Sequence, residues 1–233
     1  MSTVLVLFLA LSVGFLVFVR WHSRRKVIDT HAPAWFNASN KCQIAVHESG
    51  HAVVAWCCTI VTRIAQAVVG SDGGFVDYAI QPFDSSDVRW CKIVLCMAGA
   101  AAEITVFGKI RSGESRSDLA EARSLTEGLI GKGDSTSPWR IKWVGPKSLP
   151  FAQIYVPTIS PEEETILANA YVRAKELVQA HGDRFYALVT ELMEKRILDE
   201  QDLERILHKR SFVQLVGMMR PTFISPNGGR RAA

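Results

Sequence analysis

The sequence predicts a mainly α domain with a small β element, preceded by one N-terminal transmembrane helix. An uncharged apolar run opens the chain, and most later segments repeat apolar residues at helical spacing. One pair of β-branched segments is divided by a turn that contains glycine, which predicts the β element. The net charge of +4 is mild, and the basic residues form no single stripe with interleaved aromatic residues, so nucleic acid is not an expected partner.

The first segment, residues 3–20, has the composition of a membrane anchor. Val4 to Val19 carries no charged side chain, and about 18 helical residues rise roughly 27 Å, which spans a bilayer core. Basic residues follow at once between Arg20 and Lys26, and a cleaved secretory signal would carry them before the apolar run. We therefore expect a single-pass membrane protein whose later residues lie in the cytoplasm. A buried core helix or a removed leader is the alternative.

The elements of the first half follow from helical period, β-branched runs and capping residues. Residues 21–40 are polar and are expected to form a linker, and residues 41–210 are expected to form the folded domain. The predicted elements are a helix from Cys42 to Ala55, a strand from Thr59 to Val69, a turn at Ser71 to Gly74, a strand from Phe75 to Ile80, a helix capped near Ser85 that ends at Gly108, and a helix from Ser117 to Gly131.

The second half begins with a predicted long loop at residues 132–159, which is rich in glycine, proline and serine. Ser160 to Glu163 reads as a capping box with proline at the first helical position, and the helix behind it is expected to close at His181. A further helix follows, and Asp199 is expected to cap the last one. Residues 211–233 are predicted to be a flexible tail.

Five cysteines occur in the chain, and no two of them form a C-x-x-C pair. An odd number without that spacing favours buried, reduced thiols over a disulfide framework or a cysteine-ligated zinc site. Such thiols are typical of a reducing compartment.

The first predicted helix carries His47-Glu48-Ser49-Gly50-His51, an H-E-x-x-H pattern. His47 and His51 are four residues apart, so they share one helix face and can bind one metal ion. Glu48 would point beside that ion, where it can take a proton from the attacking water and hand it to the leaving amine. The helix is apolar nearly all round, so it is expected to be buried, and buried imidazoles need partners. A helix with two solvent-facing histidines is the alternative.

The third protein ligand is left open by the residues alone. A catalytic zinc usually has three protein ligands, and the candidates are Glu103, Asp118 and Glu121. Asp118 is favoured because a carboxylate at the start of a helix can be held by backbone N–H groups, although a plain N-cap is the alternative there. Zinc fits nitrogen ligands with one carboxylate, and iron, cobalt and manganese stay open as alternatives.

A resemblance to a known family narrows these alternatives. His47 to Trp56, HESGHAVVAW, resembles the peptidase domain of the FtsH family of membrane-bound AAA proteases. Met97 to Glu103 with the following Phe-Gly resembles the family's G-G-R-A-A-E-E…F-G segment. Ser117-Asp118-Leu119 resembles its N-D-L element, and Glu162 to Lys209 resembles its C-terminal helices.

The resemblance implies a zincin-like, FtsH-type peptidase domain at residues 41–210. It implies one zinc ion per chain with His47, His51 and Asp118 as ligands and Glu48 as the catalytic base, and it leaves Glu103 outside the ligand set. It also implies that the strand pair around Phe75 is the edge to which an extended polypeptide substrate adds a strand.

The expected function is therefore zinc-dependent endopeptidase activity on unfolded or extended polypeptides at a membrane surface, with a bacterial inner membrane as the expected location. No G-x-x-x-x-G-K-[ST] pattern occurs in the chain, so ATP-independent cleavage is expected. A homo-oligomer or a separate ATPase that delivers substrate is a possible partner. The alternatives are a non-catalytic membrane-tethered adaptor that binds an FtsH-type protease or its substrates, and a zinc hydrolase of some other compound class.

Overall fold

The structure is a computed structural model of the chain, and it describes residues 39–82, 84–130 and 160–208. The predicted anchor at 3–20, nearly all of the linker, the loop at 132–159 and the tail at 211–233 lie outside the described residues. The described elements, in chain order, are α1 (Asn40–Cys57), β1 (Val61–Val69), β2 (Gly74–Ile80), α2 (Ser86–Cys96), α3 (Ala98–Phe107), α4 (Ser115–Ile130), α5 (Pro161–Ala180), α6 (Gly182–Lys195), β3 (Ile197–Asp199) and α7 (Glu200–Leu207). The prediction of a mainly helical fold with a small β element is confirmed.

Helix α1 lies at the centre of the core, because it is apolar on nearly every face. It contacts α2, α3, α5, α6 and both long strands. Val53 and Val54 are fully buried, and burial of such side chains stabilises a fold by about 1.5–3 kcal/mol each. The helix begins where Ser39 accepts a hydrogen bond from the N–H of Cys42. All five cysteines are buried thiols, and Cys42, Cys57 and Cys58 belong to this helix and its end.

The contact between α1 and α3 is close, because small residues face each other. A Cβ on Gly50 would lie 2.6 Å from both the backbone oxygen of Ala98 and the Cβ of Ala102. A side chain at residue 50 would therefore push α3 away from α1. This packing holds the middle of α3 against the H-E-x-x-H turn.

The predicted long helix before Gly108 is divided into α2 and α3 at Met97, whose backbone N–H still bonds to Ile93. The stretch Ser86–Phe107 is, among the described residues, the one helical segment long and apolar enough to cross a membrane. However, 72% of its apolar window is buried inside the protein, which is the pattern of core helices. Gly108 ends α3 in the left-handed conformation with a φ of 70°, as its position predicts.

The three strands form one antiparallel sheet in the order β2-β1-β3. In β2 the side chains alternate between half-buried and exposed, so one face packs on the core while Phe75 on the other face is 49% exposed. Strand β3 pairs Ile197 with Val68 and was not predicted, because three residues are too short to show a period.

The predicted caps of the later helices are confirmed. The hydroxyl of Ser160 accepts from the N–H of Glu163, whose carboxylate in turn accepts from the N–H of Ser160. Asp199 accepts from the N–H of Asp202 at the start of α7. Helix α5, which the first cap begins, packs against α3 and α4 and so braces the two helices that carry the acidic residues discussed next.

Candidate metal centre

Three Lewis-basic atoms from two helices converge on one point. The Nε2 atoms of His47 and His51 lie 3.1 Å apart, and they lie 3.0 and 3.2 Å from Oδ2 of Asp118. The two imidazoles come from successive turns of α1, whereas Asp118 comes from the first turn of α4. The side chain of His47 is 2% exposed, and those of His51 and Asp118 are 12% and 22% exposed. The group is therefore open to solvent on the side of His51 and Asp118.

This donor set fits a tetrahedrally coordinated divalent ion. Ligand atoms about 2.0–2.2 Å from zinc stand roughly 3.3–3.5 Å apart at tetrahedral angles, only slightly more than the separations in this group. Three lone pairs at such short range repel one another unless a cation or a proton lies between them. Two imidazole nitrogens with one carboxylate oxygen also match the ligand types that zinc prefers. His47, His51 and Asp118 can therefore hold a metal ion.

Glu103 orients the ring of His47 from the opposite side. It is fully buried, and its Oε1 accepts hydrogen bonds from His47 Nδ1 at 2.8 Å and from the hydroxyls of Ser112 and Ser115. Its Oε2 accepts from the backbone N–H groups of Arg111 and Ser112. Because the proton of a neutral His47 then lies on Nδ1, the lone pair of Nε2 is directed at the point shared with His51 and Asp118.

The three carboxylates proposed from the sequence as third ligand take different places. Asp118 meets both imidazoles, Glu103 contacts the far nitrogen of His47, and Glu121 is exposed on α4. Helix α4 begins at Ser115, two residues earlier than predicted, so Asp118 lies within the first turn and is not the N-cap. The orienting role of Glu103 was not predicted from the sequence. The sequence feature that could have indicated this role is a single carboxylate inside a helix that is otherwise almost wholly apolar.

The electrostatics of the group favour a positive charge between the donors. Burial alone lowers the pKa of His47, but the hydrogen bonds to Asp118 and Glu103 outweigh burial and raise that pKa to about 10. Burial raises the pKa of Asp118, yet the bonds to the two histidines leave it well below its usual range. The pKa of Glu103 is likewise lowered, because its bonds to His47 and Ser112 overcome burial. Both carboxylates are therefore present as anions beside the imidazoles.

Glu48 lies next to this group, is 3% exposed, and packs against the start of β2. Burial raises the pKa of Glu48 to about 7, while the nearby His51 and His47 partly oppose that shift. A carboxylate with a pKa near neutrality can both accept and release a proton under ordinary conditions.

Gly99 allows the His47 ring to reach its position, because a Cβ on residue 99 would lie 2.2–2.5 Å from three ring atoms. We expect Gly99→Ala to displace the ring, and to lower metal affinity at least about tenfold. Metal affinity measured by competition with a chelator, beside the thermal unfolding midpoint, tests this. Gly113→Ala is the matched control, because no atom in the described part of the chain lies within 4 Å of a Cβ on Gly113. An unchanged affinity in Gly99→Ala would contradict the prediction.

Glu103→Gln is expected to lower metal affinity by about 10–100-fold. The two carboxylate oxygens face only N–H and O–H donors, including Nδ1–H of His47, so an amide NH2 in place of one oxygen opposes a donor. Such an unsatisfied buried group also costs about 1–3 kcal/mol of unfolding free energy. Chelator competition and chemical denaturation measure the two effects. Glu121→Gln, which changes an exposed carboxylate, should alter neither, and equal affinity in both variants would refute the orienting role.

A buried H-E-x-x-H helix whose imidazoles meet a carboxylate from a second helix is the arrangement of a zinc-metallopeptidase-type domain. The family model described as Peptidase family M41 matches residues 34–206, which is more than half of the chain. The chain therefore belongs to peptidase family M41.

Curated relatives agree with this assignment. ATP-dependent zinc metalloprotease FtsH 2 of Symbiobacterium thermophilum is 29% identical over 182 residues, which cover 72% of this chain and 30% of that protein. ATP-dependent zinc metalloprotease FTSH 11, chloroplastic/mitochondrial, of Arabidopsis thaliana is 29% identical over 195 residues, which cover 78% of this chain and 23% of that protein. The chain thus spans less than a third of the length of these relatives.

Proposed function

We propose that this chain is a zinc-dependent endopeptidase that hydrolyses peptide bonds of unfolded or extended polypeptides without itself using ATP. The observation that carries the proposal is a buried glutamate, Glu48, directly beside three convergent donor atoms. The relatives are named zinc metalloproteases, which supports zinc over the other divalent metals. We assign the roles of metal ligand to His47, His51 and Asp118.

The proposed chemistry divides the work among a few side chains. A zinc ion held by the three ligands would polarise the scissile carbonyl and make a nearby water more acidic. Glu48 accepts the proton of the attacking water and then delivers it to the nitrogen of the leaving amine. Glu103 keeps the His47 ring in the orientation that the ligand set needs. Burial of Glu48 keeps bulk water from competing for that proton.

The edge of the sheet at β2 offers a place for an extended substrate. No described strand pairs with the outer side of β2, since β1 lies on its inner side and β3 lies beyond β1. Val69 pairs with Gly74, but its N–H bonds to the backbone oxygen of Arg196 on the opposite side. The backbone N–H and C=O of Gly74 therefore point to the outer side of β2. The same holds for Val76, because strand residues two apart have the same orientation. Gly74 also abuts Glu48, so a peptide that adds to this edge would pass the proposed base.

The apolar run at residues 3–20 and the basic residues after it support a location at a membrane, with the peptidase domain on the cytoplasmic side. A bacterial inner membrane is the location that we propose. In this arrangement substrates reach the site already extended, or a homo-oligomer or a separate ATPase presents them.

Cleavage of an unfolded protein without nucleotide tests the proposed activity. We expect the purified, zinc-loaded full chain to degrade casein at the same rate with and without ATP, because Glu48 and the ligand set suffice for hydrolysis. Fragments are followed by gel electrophoresis and mass spectrometry, and Glu48→Gln is the control. Cleavage that requires an added ATPase would contradict the ATP-independent proposal. Equal fragmentation by wild type and Glu48→Gln would refute catalysis by this site and favour the non-catalytic adaptor.

A further inference from the structure

Glu114 places a second carboxylate beside Glu48, and the proposed hydrolysis does not use it. Its Oε1 accepts a hydrogen bond from the N–H of Gly74 at 2.5 Å. Gly74 in turn packs against Glu48, since a Cβ on Gly74 would lie 2.7 Å from Glu48 Cγ. Ligand atoms of His47, Glu48 and Glu114 all lie within 4.8 Å of one another. Glu114 therefore stands at the end of β2 nearest the proposed base.

Among the described residues, no hydrogen-bond donor contacts the other oxygen of Glu114. Oε2 is buried and has no hydrogen-bond partner, and among the described residues Glu114 takes part in no ion pair. A buried carboxylate oxygen without a donor is unfavourable, so this atom is suited to a group that arrives with the substrate.

The chemistry around Glu114 restricts what can arrive there. The neighbouring Glu48 disfavours an anion, and the short distance between the two carboxylates favours a cation. A second metal ion is a poor fit, because both ring nitrogens of His47 are already engaged. Nδ1 bonds to Glu103, and Nε2 faces His51 and Asp118. A cationic nitrogen with several N–H donors is the better complement to two neighbouring carboxylates.

We propose that Glu114 is a specificity-determining residue that binds a cationic nitrogen group of the substrate close to the scissile bond. The group is either a lysine or arginine side chain or a free amino terminus. This inference rests on the proposed peptidase function. Because Glu114 already occupies the outward N–H of Gly74, backbone pairing of the substrate with β2 begins at Val76, and the cationic group lies at the end nearer Glu48.

Binding of a matched set of fluorescent peptides tests this assignment without cleavage. The set shares one extended sequence in which a single lysine is moved position by position or replaced by glutamine, each with a free or an acetylated amino terminus. Anisotropy is measured on the zinc-loaded full chain carrying Glu48→Gln, alone and combined with Glu114→Gln. We expect one cationic position to strengthen binding about tenfold, and Glu114→Gln to remove that gain while glutamine peptides bind equally well.

The peptide arms separate the two sources of the cationic group. A gain that disappears on acetylation assigns the group to the amino terminus, whereas a gain that depends on the place of the lysine assigns it to a side chain. The matched control is Glu127→Gln, an exposed carboxylate on α4, the helix that begins one residue after Glu114, and it should keep the full gain. Glu114→Ala provides a second variant, and circular dichroism shows whether each variant folds.

Two results would overturn the inference. One is an undiminished preference in Glu114→Gln and Glu114→Ala, and the other is equal binding of all peptides by the chain with Glu114 intact. Cleavage of the same peptides by the chain with Glu48 intact tests the peptidase proposal separately from the proposed role of Glu114. A preference in binding without any hydrolysis refutes the peptidase proposal alone, and hydrolysis without a preference refutes the role of Glu114 alone.

Discussion

Replacement of Glu48 with glutamine is expected to lower the rate of peptide cleavage by about 10³-fold while the chain keeps its zinc. The amide cannot take the proton of the attacking water, so the step assigned to Glu48 is lost. The ligand set stays intact, because Glu48 lies beside the three convergent donors and is not one of them. The shape of the side chain is preserved, and burial of a neutral amide costs less than burial of a carboxylate.

Metal content by elemental analysis and kcat/KM on an unfolded substrate, measured on the same preparations, check this expectation. Glu127→Gln provides the matched change at an exposed position of α4, and it should leave both quantities unaltered. A Glu48→Gln protein that loses its zinc would show that Glu48 belongs to the ligand set. A variant that cleaves at the wild-type rate would remove the general base from the proposed mechanism.

Asp118→Ala is expected to lose both bound zinc and activity. Two imidazoles alone leave a divalent ion short of the three protein ligands that catalytic zinc sites use, and the negative charge opposite the ion disappears. Oδ2 of Asp118 lies 3.0 and 3.2 Å from the two imidazole nitrogens, so no smaller side chain can replace this contact. Zinc affinity is expected to fall by more than about a hundredfold.

Zinc affinity by chelator competition and cleavage of casein measure this loss, and Asp118→Asn is the informative partner variant. It keeps an oxygen at the same position and removes the charge, so its affinity should lie between those of wild type and Asp118→Ala. Unfolding followed by circular dichroism separates loss of metal from loss of fold. Full zinc occupancy in Asp118→Ala would mean that another acid completes the site, and the proposed ligand set would be wrong.

The structure confirms the sequence predictions of elements that a few neighbouring residues determine. The capping box at Ser160 and the cap at Asp199 depend on side chains that bond to groups three residues further along, and both are present. The burial of α1 followed from its apolar faces in the same way. The division of the predicted long helix at Met97 was missed, because the residues there carry no breaker and packing alone decides it.

The sequence by itself determined that His47, Glu48 and His51 lie on one largely buried helix with the two imidazoles on the same face, because helical spacing is a property of adjacent residues. Only the tertiary structure decided which carboxylate meets them. Asp118 is 67 residues from His51, Glu103 is 56 residues from His47, and Glu114 is 40 residues from Gly74. Contacts over such separations depend on how α3, α4 and β2 pack around α1, and no local pattern of residues encodes that packing.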